Sequence, residues 1–336
     1  KNVTLGVDQC ECFGLLGPNG SGKSTLLNTS AFVYQPTIGH LYYDGKDTLH
    51  RKDNSVPIGY CPQEDVVWDQ MTLYEHIEMY LYLQGYSKSE AKNLALKFID
   101  YCRLNAHKNK LPTELSGGTC RKLSILIALC CNSSTILLDE PTAGMDPSTR
   151  RYVWDMFKAT IQNRQSSTIM STHSMEEAEL LCNRIGILVN GKLRCIGSPE
   201  HLKMKFGNTY ILDVQTEDVE RFHQEVIVDQ DLFQGQEYTR EDKSKQRVKY
   251  EVQCDNENNN LSVVFETMER NRRAGLLSDY SYSKTSLEQI FLNFALLKEI
   301  EIAQDSENEE DKDKVVVVID NDKEGLVSKE KNKIER

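Results

Sequence analysis

A glycine-rich loop after a short apolar run constrains this chain more than any other feature of its sequence. Cys12–Leu16 reads CFGLL, which is typical of a buried strand. Gly17–Ser24 follows directly and fits the pattern G-x-x-x-x-G-K-[ST] without a mismatch. Such a loop presents backbone N–H groups to an anion, and the helix after it directs its positive end to the same place. The pattern therefore predicts a site for the terminal phosphates of a nucleotide.

The residues of this loop have separate expected roles. Lys23 would place a cation at the β- and γ-phosphates, and the Ser24 hydroxyl would bind Mg²⁺. The motif by itself does not choose among kinases, GTPases and ATPases. The predicted nucleotide-binding residues of the loop are Gly17, Asn19, Gly20, Ser21, Gly22, Lys23, Ser24 and Thr25.

A second apolar run, Ile136–Leu138, ends in two acids, Asp139 and Glu140. The carboxyl ends of parallel strands meet at one edge of a sheet, where ligands bind. We therefore expect Asp139 to hold Mg²⁺ through water and Glu140 to polarise the attacking water. Taken alone, the pair would also suit a strand end that merely meets solvent. Its place downstream of a phosphate loop favours the catalytic interpretation.

Two more polar residues follow predicted strands or turns. His173 comes directly after the predicted strand Thr168–Ser171, where a neutral imidazole can hydrogen-bond the γ-phosphate or the attacking water. Gln63, in a Cys-Pro-Gln sequence, is placed to contact Mg²⁺ and to report its presence to a partner. A lone histidine or loop glutamine is more often structural, and the order of the motifs is what favours function here.

The sequence Leu115–Gly118 (LSGG) predicts a second anion-binding helix end. Ser116 is a good N-cap, and the helix after it is expected to run to about Cys130. Gly117 and Gly118 leave the backbone of the first turn open to a ligand. One chain with two such ends suggests that Ser116, Gly117 and Gly118 serve a nucleotide held by another copy. A capped turn without a ligand is the alternative.

The pattern of strands and helices divides the chain into three parts. Residues 1–207 alternate β-rich and helical runs, which predicts an α/β fold with a largely parallel sheet and a helical lobe inserted at about 70–131. Residues 208–300 predict a small α+β, ferredoxin-like domain. Residues 301–336 are acidic and are expected to be a disordered tail.

Individual elements can also be predicted. Asn190-Gly191 indicates a hairpin, because both residues tolerate positive φ. The polar stretch Asp229–Lys245 is expected to be a loop. Further strands are predicted at Thr135–Leu138, Ile185–Val189, Lys192–Ile196, Tyr210–Val214, Val248–Val252 and Tyr280–Ser283, and further helices near 217–227, 261–273 and 286–297.

Charge and hydropathy exclude some partners. The formal net charge is -11, which disfavours a general nucleic-acid binder because the far field repels phosphate. No apolar run approaches the roughly 20 residues that span a bilayer. The chain opens on Lys1, so we expect it to be a fragment whose membrane-spanning part lies elsewhere. The ten cysteines contain no Cys-x-x-Cys pair, which favours reduced structural thiols over a zinc site.

These residues, in this order, resemble the nucleotide-binding domain of ABC transporters over residues 1–207. The resemblance assigns Gly17–Ser24 as the phosphate loop, Gln63 as the Q-loop residue, Leu115–Thr119 as the signature and His173 as the switch histidine. It also assigns Asp139 to the Walker B strand, Glu140 as the catalytic base and Ala143–Asp146 as the D-loop.

A closer resemblance, to subfamily A, rests on four stretches: Glu11–Gly17, Leu115–Thr119 with Arg121–Ser124, Pro141–Pro147, and Asp279–Ser283 followed by Ser286–Phe294. In that subfamily the last segment closes a small regulatory domain, which is implied here for 208–300. Thr119 departs from the glutamine that most ABC proteins carry. Family members also have a first strand and an adenine-stacking aromatic residue upstream of Lys1, so the resemblance implies that this chain lacks both.

The resemblance implies a mechanism and partners. Two such domains would clamp two ATP molecules head to tail, with Mg²⁺ held by Ser24, Gln63 and Asp139. Ser116, Gly117 and Gly118 of one domain would face the nucleotide of the other. Transmembrane domains, in cis or in trans, would be the second partner, and the complex would lie at the cytoplasmic face of a membrane. The subfamily implies a lipid substrate.

Two other functions stay open at this point. One is a soluble ABC-type ATPase of translation or DNA repair, which the net charge of -11 and the absence of a second motor domain disfavour. The other is a regulatory module that has lost catalysis, which the intact Glu140 and His173 disfavour.

Overall fold

The computed structural model describes residues 2–48, 56–130, 133–164, 166–207, 209–233, 235–253, 261–292, 294 and 315–319. They divide into two compact units. The first contains the described residues up to 199 together with 294 and 315–319, and the second contains residues 200–292. The structure places the boundary between the units after residue 199, whereas the sequence predicts it after residue 207.

A six-stranded sheet forms the centre of the first unit, in the order β5-β6-β7-β2-β8-β9. The first five of these strands are parallel, and β9 closes the sheet antiparallel to β8 through the predicted Asn190-Gly191 turn, where φ is 52° and 74°. The strands are β2 (Cys12–Leu16), β5 (Ile58–Cys61), β6 (Thr135–Asp139), β7 (Ser167–Ser171), β8 (Arg184–Val189) and β9 (Lys192–Gly197).

A smaller sheet in the same unit has the order β1-β14-β3-β4. Of the tail that was expected to be disordered, residues 315–319 form β14, which pairs in parallel with β1 on one side and β3 on the other. The remaining residues of that tail lie outside the described residues. The strands are β1 (Val3–Val7), β3 (Gly39–Tyr43), β4 (Lys46–Asp47) and β14 (Val315–Ile319).

The first unit also contains six α-helices among its described residues, and three of them lie within residues 70–131, where the sequence predicts a helical lobe. Glu75 and Glu90 close capping boxes at the first turns of α2 and α3, which fixes where these amphipathic helices begin. The helices are α1 (Lys23–Ser30), α2 (Leu73–Leu83), α3 (Lys88–Tyr101), α4 (Gly117–Cys130), α5 (Pro147–Arg164) and α6 (Met175–Leu181), with 3₁₀ turns at Asn105–His107 and Pro112–Glu114.

The second unit has the strand–helix–strand–strand–helix–strand order of a ferredoxin-like fold. Its antiparallel sheet runs β11-β12-β10-β13. The sequence predicts a loop over residues 229–245. This prediction is wrong for the seven residues Tyr238–Ser244, which form the edge strand β11. The elements are α7 (Pro199–Phe206), β10 (Thr209–Gln215), α8 (Val219–Phe222), a π-helical turn (His223–Val228), β11 (Tyr238–Ser244), β12 (Arg247–Gln253), α9 (Leu261–Arg273), β13 (Asp279–Lys284) and a helical stretch at 287–292.

The core of the second unit lies between the helices and one face of this sheet. Leu212, Val214, Phe222 and Tyr250 are all fully buried there. Burying a side chain of this size stabilises a fold by about 1.5–3 kcal/mol. The alternation of buried and half-exposed residues along β10 is the period-2 pattern that marks it as a strand.

Candidate functional site

Four adjacent strands of the parallel sheet end at the same edge, and each is followed by a predicted site residue. In sheet order, β5 leads to Gln63, β6 ends at Asp139, β7 leads to His173 and β2 leads to the phosphate loop. The register aligns these ends, because Asp139 lies opposite Ser171 and Leu15 lies opposite the same serine. Residues that are far apart in sequence therefore converge at one edge.

The phosphate loop has the backbone that its glycines predict. Gly20 and Gly22 adopt φ of 77° and 102°, and Gly22 is the N-cap of α1. A Cβ on Gly17 would lie 2.4 Å from the Leu188 carbonyl oxygen, so no larger residue fits at that position. The Ser21 hydroxyl is buried without a hydrogen-bond partner among the residues that the structure describes. Asn19, Gly20 and Thr25 are exposed and Ser24 is half-buried, which leaves the outside of the loop open to a ligand.

Lys23 is buried inside this loop. Its ammonium donates to the carbonyl oxygens of Gly17, at 2.9 Å, and Pro18, at 3.3 Å. Burial lowers the pKa of Lys23, and the nearby charges of Glu140 and Asp139 partly oppose this shift. The ammonium of Lys23 therefore lies within electrostatic reach of the carboxylates of Asp139, at the end of β6, and of Glu140, which follows it.

The acid pair is held by the neighbouring strand. Asp139 is buried and accepts a short hydrogen bond from the Ser171 hydroxyl. The Glu140 N–H donates to the Ser171 carbonyl and hydroxyl oxygens, at 3.1 and 3.0 Å. Glu140 has φ of 47°, a left-handed conformation that residues other than glycine rarely adopt. Such strain is common at functional sites, where the surroundings hold it in place.

Glu140 and His173 lie close together at the mouth of the site. The His173 Nδ1 is 3.5 Å from the Glu140 Oε2. The histidine side chain is 64% exposed and the glutamate side chain 13% exposed, so the pair stands at the boundary between protein and solvent. Gln63 is also exposed, two residues beyond the end of β5. These side chains can therefore reach a molecule that enters from solvent.

The signature residues do not join this cluster. Ser116 caps α4, since its hydroxyl accepts from the Thr119 N–H at 3.3 Å, as predicted. Ser116 and Gly117 are exposed and Gly118 is half-exposed. Among the described residues, and apart from the adjoining backbone of α4, a Cβ on Gly117 or Gly118 would meet no atom within 4 Å. Within the described part of the chain, no packing requires glycine at either position.

Two buried charged residues were given no role by the sequence interpretation. Arg121, on α4, donates to backbone carbonyls on either side of the site. Glu177, on α6, accepts from Thr142, Trp154 and Thr172. Each of these residues places a charge on an otherwise apolar helix face. A buried charge requires partners, so this pattern is the signal in the sequence that could have identified them.

The residues present fit a magnesium ion bound with a nucleotide. Mg²⁺ prefers oxygen ligands and takes many of them from water and substrate phosphates, so few protein ligands are needed. The Ser24 hydroxyl, the Gln63 amide and the Asp139 carboxylate are oxygen donors of this kind. Within the described residues there is no group of three His, Cys, Asp or Glu side chains that could hold a metal by itself.

Among the helices that the structure describes, none combines the length and the apolar composition needed to cross a bilayer.

Sequence profiles place this architecture in a known family. The profile of the ABC transporter family matches residues 1–143. A second profile, that of an AAA domain (AbiEii toxin, type IV toxin–antitoxin system), matches residues 108–179. The two overlap at the signature and at Asp139 and Glu140.

Curated relatives agree with the first profile. The chain is 36% identical over 308 residues to human ATP-binding cassette sub-family A member 10, covering 90% of this chain and 19% of that protein. It is 34% identical over 309 residues to the human cholesterol transporter ABCA5, covering 90% and 18%. It is 34% identical over 297 residues to the mouse glucosylceramide transporter ABCA12, covering 88% and 11%. The chain thus spans a fifth or less of these relatives.

Solved structures share the fold of the first unit. The dimeric structure of a bacterial ABC transporter cassette aligns with a TM-score of 0.55 and 27% identity, over 58% of this chain and 88% of that one. The same cassette in a post-hydrolysis state bound to ADP and Pi aligns with a TM-score of 0.54 and 27% identity, over the same shares of the two chains. The chain therefore belongs to the ABC transporter family, as an ABC ATPase domain of the sub-family A type.

Proposed function

We propose that this chain binds Mg²⁺ and ATP at the converging strand ends and hydrolyses the ATP with Glu140 as general base. The observation that carries the proposal is the position of Glu140, which shares the edge of the sheet with Lys23 and Asp139 and lies 3.5 Å from His173. Lys23 and the N–H groups of the loop bind the β- and γ-phosphates.

The chain's own groups then have defined tasks. Glu140 accepts a proton from water as the water oxygen forms a bond to the γ-phosphorus and the bond to the bridging oxygen breaks. His173 orients that water or the γ-phosphate through its imidazole. Mg²⁺, held by Ser24, Gln63 and Asp139, would neutralise charge on the phosphate oxygens. The exposed mouth of the site would need a cover that excludes bulk water.

A second copy of the domain supplies that cover in our proposal. Ser116, Gly117 and Gly118 of one copy would face the nucleotide of the other, with the N–H groups of α4 directed at its phosphates. The open space around both glycines supports this arrangement, because no packing contact of the described residues explains their small size. The similar bacterial cassette is described as a dimer.

We also propose that the domain drives transport by membrane-spanning domains at the cytoplasmic face of a membrane. Two relatives are named as transporters of cholesterol and of glucosylceramide, which supports a lipid substrate. The segment between β5 and α2, which contains Gln63, offers a surface for the membrane domains, because its Val66 and Trp68 are 65% and 45% exposed. Exposed apolar groups of this size are typical of interaction sites.

The second unit is proposed to regulate the ATPase rather than to bind nucleic acid. Its sheet face opposite the core carries ion pairs, Arg247 with Asp213 and Lys249 with Glu251. The aromatic side chains of the unit pack on the other face. RNA-binding domains with this topology stack bases on aromatic residues of the open face, and the described strands place none there.

Two substitutions in the complete gene product test the proposal. Glu140→Gln is expected to retain ATP binding and to lower turnover at least ~100-fold, the loss expected for a general base. Lys23→Ala is expected to lose ATP binding, and with it the stabilisation of about 2.7 kcal/mol that ATP gives at a hundred times its Kd. Phosphate release and ATP-dependent thermal stability are the measurements. Normal turnover in Glu140→Gln would refute the assignment of the base.

A further inference from the structure

The guanidinium of Arg121 uses all of its N–H donors inside the first unit. Arginine has five such donors in a rigid plane. Nε donates to the Pro141 carbonyl, and one terminal nitrogen donates to the carbonyls of Asp139 and Glu140. The other terminal nitrogen donates to the Pro62 carbonyl and to Asp65 Oδ1. The five distances lie between 2.7 and 3.0 Å.

Three of these acceptors are consecutive carbonyls around the proposed base. The distances are 2.7 Å to Asp139, 3.0 Å to Glu140 and 3.0 Å to Pro141. Glu140 has a strained φ of 47°, which persists only where its surroundings hold it. Arg121 touches no part of the Glu140 side chain in these bonds, so its influence on the carboxylate passes through the backbone.

The remaining donors reach the loop that carries Gln63. The Pro62 carbonyl lies 2.7 Å from Arg121 Nη1, and Pro62 directly precedes Gln63. Asp65 is the only carboxylate among the five acceptors, and its side chain is 25% exposed. One side chain on α4 thus connects the end of β6 with the turn after β5.

The position of Arg121 on α4 connects these hydrogen bonds to the first turn of the same helix. It lies five residues after Ser116, a little more than one turn into the same helix. A rigid helix carries any displacement of its first turn to Arg121. That first turn is the part proposed to face the nucleotide of a second copy.

We propose that Arg121 is a positioning residue that fixes the backbone of Glu140 and transmits displacement of the signature turn to it. The proposal rests on the proposed role of Glu140 as base. When the first turn of α4 meets the partner's nucleotide, Arg121 brings the base into place at its own nucleotide. The two ATP sites of a dimer are thereby coupled inside each chain.

Arginine is the only residue that can make this set of bonds. Lysine keeps the charge but has three protons on one nitrogen, so it can satisfy at most three of the five acceptors and cannot span the plane. Arg121 is only 4% exposed, so unsatisfied carbonyls around it would not regain water. A catalytic group displaced by about 1 Å loses on the order of a hundredfold in rate.

The test is Arg121→Lys in the complete gene product, with Lys122→Arg as the matched control. Lys122 is the next residue of α4 and lies over the ring of Tyr152, away from the carbonyls. Arg121→Lys is expected to lower kcat by about 10- to 100-fold, with KM for ATP and ATP-dependent thermal stabilisation unchanged. Lys122→Arg is expected to keep the kcat of the wild type. A rise in KM without a fall in kcat would overturn the proposal.

A double mutant separates positioning from a general structural effect. If Arg121 acts through Glu140, then Arg121→Lys costs no further turnover in the Glu140→Gln background. If the loss of turnover in the double mutant equals the product of the two single losses, the proposal is overturned, even where each single variant is slow. Normal turnover in Glu140→Gln alone would instead refute the base assignment, so the two failures are distinguishable.

A milder variant serves if Arg121→Lys does not fold. Asp65→Asn weakens one of the five bonds at a partly exposed position and leaves the carbonyl contacts in place. It is expected to lower kcat by about 2- to 5-fold at unchanged KM. In the Glu140→Gln background it is expected to cause no further loss of turnover. Wild-type kcat in a folded Asp65→Asn protein would then count against the proposal.

Discussion

The imidazole Nδ1 of His173 lies 3.5 Å from Oε2 of Glu140, although the two residues follow different strands. Those strands, β6 and β7, are parallel neighbours, and their last residues, Asp139 and Ser171, lie opposite each other. The Glu140 N–H bonds Ser171, which fixes where the glutamate leaves the sheet. The relationship follows from the register of the sheet and not from proximity in sequence.

His173→Ala is expected to retain ATP binding and to lower turnover by about 100-fold, because the water or γ-phosphate loses an orienting group. Phosphate release at saturating ATP is the measurement. His40→Ala is the matched control, since His40 forms a similar exposed pair with Asp47, at 2.9 Å, on the strands of the smaller sheet. Equal effects of the two substitutions would contradict a catalytic role for His173.

Gly118→Ala is expected to stabilise the isolated domain and yet to lower its turnover. Alanine favours a helix by about 1 kcal/mol over glycine, and its Cβ would meet no described residue outside the adjoining helix backbone within 4 Å. In a dimer the same methyl group would occupy the space proposed for the partner's phosphates. The thermal midpoint and turnover are measured on one preparation. A more stable variant with full turnover would mean that no ligand approaches this turn.

Glu177→Ala is expected to destabilise the protein by about 3 kcal/mol, because three buried donors lose their acceptor. Those donors belong to Thr142, Trp154 and Thr172. Turnover should fall as well, since Thr142 lies two residues after Glu140. Glu176→Ala, at the adjacent exposed position of α6, is the control. Urea unfolding gives the free energy, and a difference below about 1 kcal/mol from the control would contradict this reasoning.

Most of the site could be predicted from the sequence because its residues stand at strand ends. The carboxyl ends of parallel strands share an edge, so the phosphate loop, Asp139, Glu140 and His173 follow from local pattern and order. The partners of Arg121 could not be predicted in the same way. They are backbone carbonyls of other segments, and backbone atoms carry no sequence signal.

The fold was predicted best where burial alternates regularly. The strand β10 reads as one because its core-facing residues recur every second position. The edge strand β11 was missed because its residues Arg240 to Lys243 are all charged, which normally indicates a loop. Proteins also place charged residues on exposed edge strands, where they prevent pairing with other chains. A run of charges in a single sequence therefore does not distinguish a loop from an edge strand.

The second unit contains a histidine whose protonation is expected to weaken it. The ring of His223 stacks on Tyr250, with centroids 5.8 Å apart, and its Nδ1 lies 3.1 Å from the tyrosine hydroxyl. Burial lowers the pKa of His223, and the positive charge of Arg240 lowers it further, while Glu220 and Asp242 oppose the shift. The folded unit therefore favours the neutral ring.

The sign of the pH effect follows from this lowered pKa. The unfolded chain takes up a proton as the pH falls through about 6.5, and the folded chain does so only at lower pH. The free energy of unfolding should therefore decrease between pH 7.5 and 5.5. His223→Gln should make this decrease smaller. The control His201→Gln, at an exposed position of α7, should leave the decrease unchanged. Urea unfolding followed by near-ultraviolet circular dichroism at the two pH values is the measurement. An equal slope in wild type and His223→Gln would show that another group titrates, because the only change between them is the imidazole.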